Sequence, residues 1–169
     1  PAGQGLALVA AGEEGELARV GGPRLAEPVR RQIERLVPGD LLELALAAGF
    51  DVRIWYVGLR SPELHIARVA ARVRKGGHDI PEGDIRRRYD NSRRNLVRLL
   101  PRLTELRLHD NSAEADPASR KVPAPRLILH MQRGKILRPA DLTRTPEWAK
   151  PIVSAALKPA GTPERHRPR

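Results

Sequence analysis

The run Asp51-Val-Arg-Ile-Trp-Tyr-Val-Gly-Leu59 constrains this chain more than any other stretch. β-Branched and aromatic side chains fit a pleated, half-buried surface and lose rotamer freedom in a helix, so the run predicts a buried strand. Two residues later Ser61-Pro62-Glu63 supplies a helix start. Its hydroxyl can cap the first turn, its proline gives up an N–H that has no partner there, and its carboxylate suits the positive end of the helix dipole. A strand that feeds straight into a helix points to crossover connections, and so to an α/β arrangement with a parallel sheet.

The helix is expected over Leu64–Lys75, with Ile66, Val69, Ala70 and Val73 on one face and Gly76-Gly77 as its stop. The loop from Gly77 to Pro81 opens a second helix whose apolar face runs through Ile85, Tyr89, Leu96 and Leu99. Glu105–His109 alternates as a short strand, closed by Asp110-Asn111-Ser112. Upstream, Asp40 reads as the N-cap of a helix over Leu41–Ala48, and Leu25, Val29, Ile33 and Leu36 form one helical face closed by Pro38-Gly39. Downstream, Ala113–Pro125 reads as a polar loop. Arg126–Met131 and Lys135–Leu137 read as short strands about a turn, and Thr145-Pro-Glu147 starts a last helix reaching about Leu157. Residues 158–169, with their prolines and basic side chains, are expected to be a disordered tail.

The chain carries a formal charge of +11, and Arg68–Arg102 alone holds eleven Arg or Lys against four Asp or Glu, hence +7. An anionic ligand is expected to meet that segment. The five aromatic residues (Phe50, Trp55, Tyr56, Tyr89, Trp148) are few for a single-strand binder and read mostly as core. With no cysteine, disulfides and thiolate metal sites are excluded. No apolar run approaches the roughly 20 residues that span a bilayer, so no membrane association is expected and a cytoplasmic location is the default.

Within the charged segment, Arg68 and Arg72 lie four apart on one helix and so share a face, Gly76-Gly77 gives a hinge, and Arg86-Arg-Arg88 returns on the second helix. A helix–loop–helix of this kind can close over a polyphosphate. The planar guanidinium donates two hydrogen bonds to phosphate oxygens and stays charged at any physiological pH. The competing reading for each arginine is a surface ion pair: Arg68 with Glu63, Arg88 with Asp84. His78 reads first as a loop-stabilising residue, and Asp110-Asn111 as a turn closed by side-chain-to-backbone bonds.

The order Ala48-Gly-Phe-Asp-Val-Arg-Ile-Trp-Tyr-Val-Gly-Leu-Arg-Ser-Pro-Glu-Leu64, Arg68-Val-x-x-Arg72-Val-x-x-Gly-Gly-His78-x-Ile-Pro81, Ile85-Arg-Arg-Arg88-Tyr89 and Asp110-Asn-Ser112 resembles the zeta toxin family. Pro146-Glu-Trp148-Ala-Lys-Pro-Ile152 is similar to the C-terminal helix of bacterial members. The resemblance covers roughly residues 41–157. It implies an incomplete P-loop kinase-like parallel sheet with helical crossovers and an arginine-rich helix–loop–helix lid. It also implies a kinase that uses ATP and Mg and passes a phosphoryl group to a UDP-N-acetylamino sugar or similar small-molecule acceptor, with an antitoxin protein as partner. By that resemblance Arg68, Arg72 and Arg88 contact ATP phosphates, His78 shapes the lid tip, and Asp110 and Asn111 close the sheet edge near the nucleotide. No residue is assigned as catalyst or metal ligand.

A phosphate loop of the form Gly-x-x-x-x-Gly-Lys-Ser/Thr does not occur in the 169 residues: the first lysine is Lys75, the first serine Ser61 and the first threonine Thr104. Without the lysine and the hydroxyl, the β/γ oxygens and the metal have no cradle, so this stretch is expected to be inactive as a kinase. Residues 1–39 are expected to lie outside the family sequence, with 40–157 as the kinase-like portion. The Val52–Leu59 strand would then lack its usual sheet neighbours, leaving edges exposed and the chain poorly soluble. The alternative function is a basic module that binds nucleic acid or an acidic partner without catalysis.

Overall fold

The computed structural model describes residues 5–11, 17–21, 38–114, 123–139 and 141–158. The predicted N-terminal helical face at Leu25–Leu36 and the tail beyond 158 lie outside these residues, as does most of the Ala113–Pro125 loop. The described part is an α/β structure built on a mixed sheet. Four strands form its main body: β3 (Asp51–Gly58), β4 (Glu105–Asp110), β5 (Arg126–Gln132) and β6 (Lys135–Arg138). β3 and β4 run parallel, from Arg53 opposite Glu105 to Gly58 opposite Asp110. β5 is antiparallel to β4, and β6 to β5.

The all-parallel expectation is therefore corrected. β5 and β6 are joined by the two-residue turn Arg133-Gly134, with φ of 47° and 74°. Two central residues at positive φ match the right-handed twist of paired strands, and so short a connection can only join antiparallel neighbours.

Two further strands, β1 (Gly5–Ala11) and β2 (Leu17–Gly21), complete the sheet in the order β2-β1-β3-β4-β5-β6. β1 lies parallel to β3, from Gly5 opposite Asp51 to Ala11 opposite Val57. Thus β3 has a neighbour on each side, contrary to the expectation that it would form a bare edge.

The helices are α1 (Pro38–Ala47), α2 (Pro62–Val73), α3 (Glu82–Leu99) and α4 (Lys150–Leu157), with short 3-10 turns at Leu100–Arg102 and Glu147–Ala149. α1 begins at Pro38, so Asp40 sits inside its first turn instead of capping it. Proline is pre-set for that opening position. α2 starts as predicted: Ser61 Oγ accepts from the Leu64 N–H at 3.2 Å. It stops where Gly76 adopts a φ of 87°, a conformation open to glycine at little cost.

β3 alternates between half-exposed and buried positions, as one covered face requires. Val52, Ile54, Tyr56, Leu106, Leu108, Leu129 and Met131 share one core with Leu42 and Ala45 of α1, Leu96 and Leu99 of α3, and Ile152 and Val153 of α4. The buried stripe of α2 differs from the expected one. It runs through His65 and Val69, while Ala70 is exposed, because α2 meets the rest of the molecule along a narrow i, i+4 line.

Candidate functional site

In open α/β sheets ligands gather at the carboxyl ends of the parallel strands, so the ends of β3 and β4 are the place to look. The chain leaves β3 at Leu59, which is buried. Its carbonyl oxygen accepts from Arg93 Nη2 at 3.0 Å and from the Tyr89 hydroxyl at 3.3 Å, both on α3. Arg93 also donates to the Tyr89 carbonyl oxygen at 3.3 Å. Its guanidinium carbon lies 3.2 Å from the centre of the Tyr89 ring and 5.3 Å from that of Trp148. One arginine thus ties α3 and the C-terminal turn to the end of β3, through hydrogen bonds and through the attraction of a cation for aromatic faces.

Trp148 packs directly against Gly58: a Cβ built there would meet the indole at 2.3 Å, so only glycine admits this packing. The indole N–H donates to Asp110 Oδ1 at 3.3 Å. The same oxygen accepts from the Ser112 N–H at 3.1 Å and from the Ser112 hydroxyl. Asp110 Oδ2 is 3.7 Å from Arg126 of β5, and the Asn111 N–H reaches the Gly58 carbonyl oxygen at 2.9 Å. Asp110 and Asn111 therefore close the β3–β4 end as a turn, with the Asp110 carboxylate taken up by four groups of this chain. Tyr56, beneath, shares a 2.9 Å hydrogen bond with Ser92, and burial raises its hydroxyl pKa above 10.0. Burial likewise raises that of Tyr89.

The three arginines singled out in the α2–α3 hairpin occupy different settings. Arg68 donates to the Ala113 carbonyl oxygen at 3.0 Å, fastening α2 to the segment beyond β4. Arg72 reaches back to the carbonyl oxygen of His78 at 3.2 Å. The hairpin loop closes on it tightly, since a Cβ at Gly77 would meet Arg72 Cγ at 2.5 Å. His78 is exposed at the loop, its backbone carbonyl serving Arg72. The Arg88 side chain is exposed and makes no hydrogen bond or ion pair with another described residue.

The expected surface pairs are corrected. Glu63 pairs with Arg86 at 2.6 Å and Asp84 with Arg87 at 2.7 Å, instead of with Arg68 and Arg88. The Arg86 hydrogen bond is the main cause of a lowered Glu63 pKa. Arg98 and Arg102 both turn to Glu43 of α1, at 3.6 and 2.5 Å.

Among the described residues no group of three or more His, Asp or Glu is arranged to hold a metal ion, and Asp110 has its oxygens engaged by protein donors. These residues do not fit a Mg site as they stand, so no metal-dependent step is derived. Arg68 and Arg72 each give a guanidinium nitrogen to a backbone carbonyl oxygen, whereas the Arg88 side chain is exposed. Arg93, Tyr89 and Trp148 are the site residues that sequence reasoning missed. The i, i+4 spacing of Tyr89 and Arg93 was the available signal.

No family model matches the chain, and no solved structure matches it. It is similar to an uncharacterized protein of Haemophilus influenzae, with 40% identity over 48 residues. That stretch is 28% of this chain and 34% of the relative, so the match spans about a third of the relative's length. Among the described residues no helix is long and apolar enough to cross a membrane.

Proposed function

We propose that this chain is the lid-bearing portion of a zeta-toxin-like, ATP-dependent small-molecule kinase, and that its α2–α3 hairpin binds the polyphosphate of a nucleotide. The carrying observation is that the arginine-rich hairpin is moored over the carboxyl ends of parallel β3 and β4, by Arg93 and Tyr89 on Leu59 and by Arg68 on Ala113. Mooring at the base leaves the tip, with Arg72 and His78, and the exposed Arg88 farther along α3, as the parts that meet a ligand. Phosphoryl transfer rests on positioning and on neutralising charge, which is what a guanidinium at a hinged tip supplies. The ordered motifs from Ala48 to Ser112 support the kinase ancestry, with a UDP-N-acetylamino sugar or similar acceptor as the substrate class. Transfer itself is not proposed for these 169 residues, which hold no phosphate loop.

Titration with a fluorescent ATP analogue tests the reading. The parent should bind it saturably and prefer it to the AMP analogue. Arg72→Ala with Arg88→Ala should weaken binding at least about tenfold, since charge-assisted hydrogen bonds contribute about 1.5–3 kcal/mol each. Equal binding by parent and double variant, or none by the parent, rejects the proposal.

A further inference from the structure

The second face of the sheet carries its own constellation. Alternation along β3 and β4 places Arg53, Trp55 and Val57 beside Glu105, Arg107 and His109, and register puts His130 of β5 opposite Arg107. No described helix covers these residues: the Arg53 and Arg107 side chains are each 43% exposed, against 0–5% for Val52, Ile54, Tyr56, Leu106 and Leu108 on the other face. Trp55 is only partly buried here and is not a core residue, which corrects the expectation from sequence.

One buried acid organises the face. Glu105 Oε1 receives Arg107 Nε at 2.8 Å and His130 Nε2 at 2.9 Å, and Arg53 Nε stands 4.0 Å from Oε2. Because Arg107 is held by its Nε, its terminal nitrogens stay available, and its guanidinium lies 5.4 Å from the Trp55 ring centre. The arrangement is therefore a half-buried indole with a fixed guanidinium over its ring, and a second guanidinium on the same face, so that the indole and guanidinium form one stacked platform. Two guanidiniums face a single carboxylate, so these three groups are left net cationic within a chain of net charge +11. Protein partners with acidic surfaces would meet the charge but leave the flat indole and guanidinium planes unused. Nucleic-acid strands match both features, since every base has a π-face and every link has a phosphate. Three adjacent strands span roughly 10 Å, room for a base and its flanking phosphates.

We propose that this face binds single-stranded nucleic acid, with a base stacked at Trp55 and Arg107 and phosphates on Arg53 and Arg107. The site is separate from the hairpin and does not depend on the kinase reading.

Anisotropy of a fluorescein-labelled oligouridylate, measured on the full chain over a salt series, tests it. Binding should fall steeply with salt. Trp55→Phe should keep affinity, and Trp55→Leu, which retains bulk, should lose about tenfold, as expected when a stacking ring is removed. Arg107→Ala should weaken binding and lower the salt slope by about one, while Arg94→Ala on the helical layer should change little. Excess ATP should leave the strand bound. The proposal is overturned by affinities of Trp55→Leu and Arg107→Ala within about twofold of the parent. Failure to bind at low salt overturns it too, as does polyglutamate binding with the same variant dependence. Displacement by ATP that Arg72→Ala abolishes would put the strand on the hairpin and equally overturn it.

Discussion

Glu105 shows how a charge can be buried without being isolated. Desolvation pushes its pKa up, yet the hydrogen bonds from Arg107 and His130 outweigh this and leave it below 4.5. Its neighbour His109 is pushed the other way, with burial lowering its pKa below 6.5. For both groups the unfolded chain binds a proton more readily than the folded one, so both contribute stability that acid removes. Acidification should therefore erode stability in two stages. The first begins below 6.5, as unfolded His109 protonates before the folded form does, and the second below 4.5, as Glu105 gives up its partners. Urea unfolding at stepped pH should show both. His109→Gln should remove the first stage and Glu105→Gln should flatten the second. An unchanged profile in either variant would show that other groups set the acid limit. Arg107 is well exposed and can regain water, so the loss for Glu105→Gln should be about 1–2 kcal/mol at neutral pH, less than for a fully enclosed ion pair.

Among the elements, the junction of β3, α2 and α3 is the most demanding, because Gly58 must lie under an indole. Gly58→Ala should cost about 1–3 kcal/mol, the usual range for overpacking. It should also release Trp148 from Asp110, shifting indole emission toward that of a solvated ring. Retained emission and stability would show that the C-terminal turn gives way freely. Much of this junction was legible in the sequence, because its signals are local: the β-branched run, the Ser61 cap, the Gly76 stop and the apolar stripe of α3. What was illegible depends on chain segments far apart. Glu63 met Arg86 and not Arg68, because the offset between α2 and α3 is set by packing and not by spacing along either helix. Arg93 looked like one more surface charge until Leu59, Tyr89 and Trp148 closed around it. β1 was missed because Gly5-Leu-Ala-Leu-Val-Ala-Ala11 is rich in alanine, a helix former, so its strand state follows from pairing with β3 and not from propensity.

At the scale of the whole molecule, charge and topology pull in different directions. Acids neutralise Arg86, Arg87, Arg98 and Arg102 locally, but a surplus of +11 remains over the chain. Like charges repel within a compact body, and salt screens them over a Debye length of about 10 Å at 0.1 M. The midpoint of thermal unfolding should thus rise between about 20 and 300 mM NaCl; a fall would mean that the attractive pairs dominate. The mixed sheet itself, with α1, α3 and α4 sharing one core against it among the described residues, was only partly foreseeable. Strand identities follow from local composition, whereas strand order and the choice of covered face are decided by which apolar rows find each other. The chain's two tryptophans stand on opposite sides of that sheet, Trp148 against Gly58 under the helices and Trp55 on the other face. Nature has in effect installed one optical probe per surface. Replacing either indole by phenylalanine leaves a single emitter, and quenching by iodide or acrylamide then reports on one side of the protein at a time.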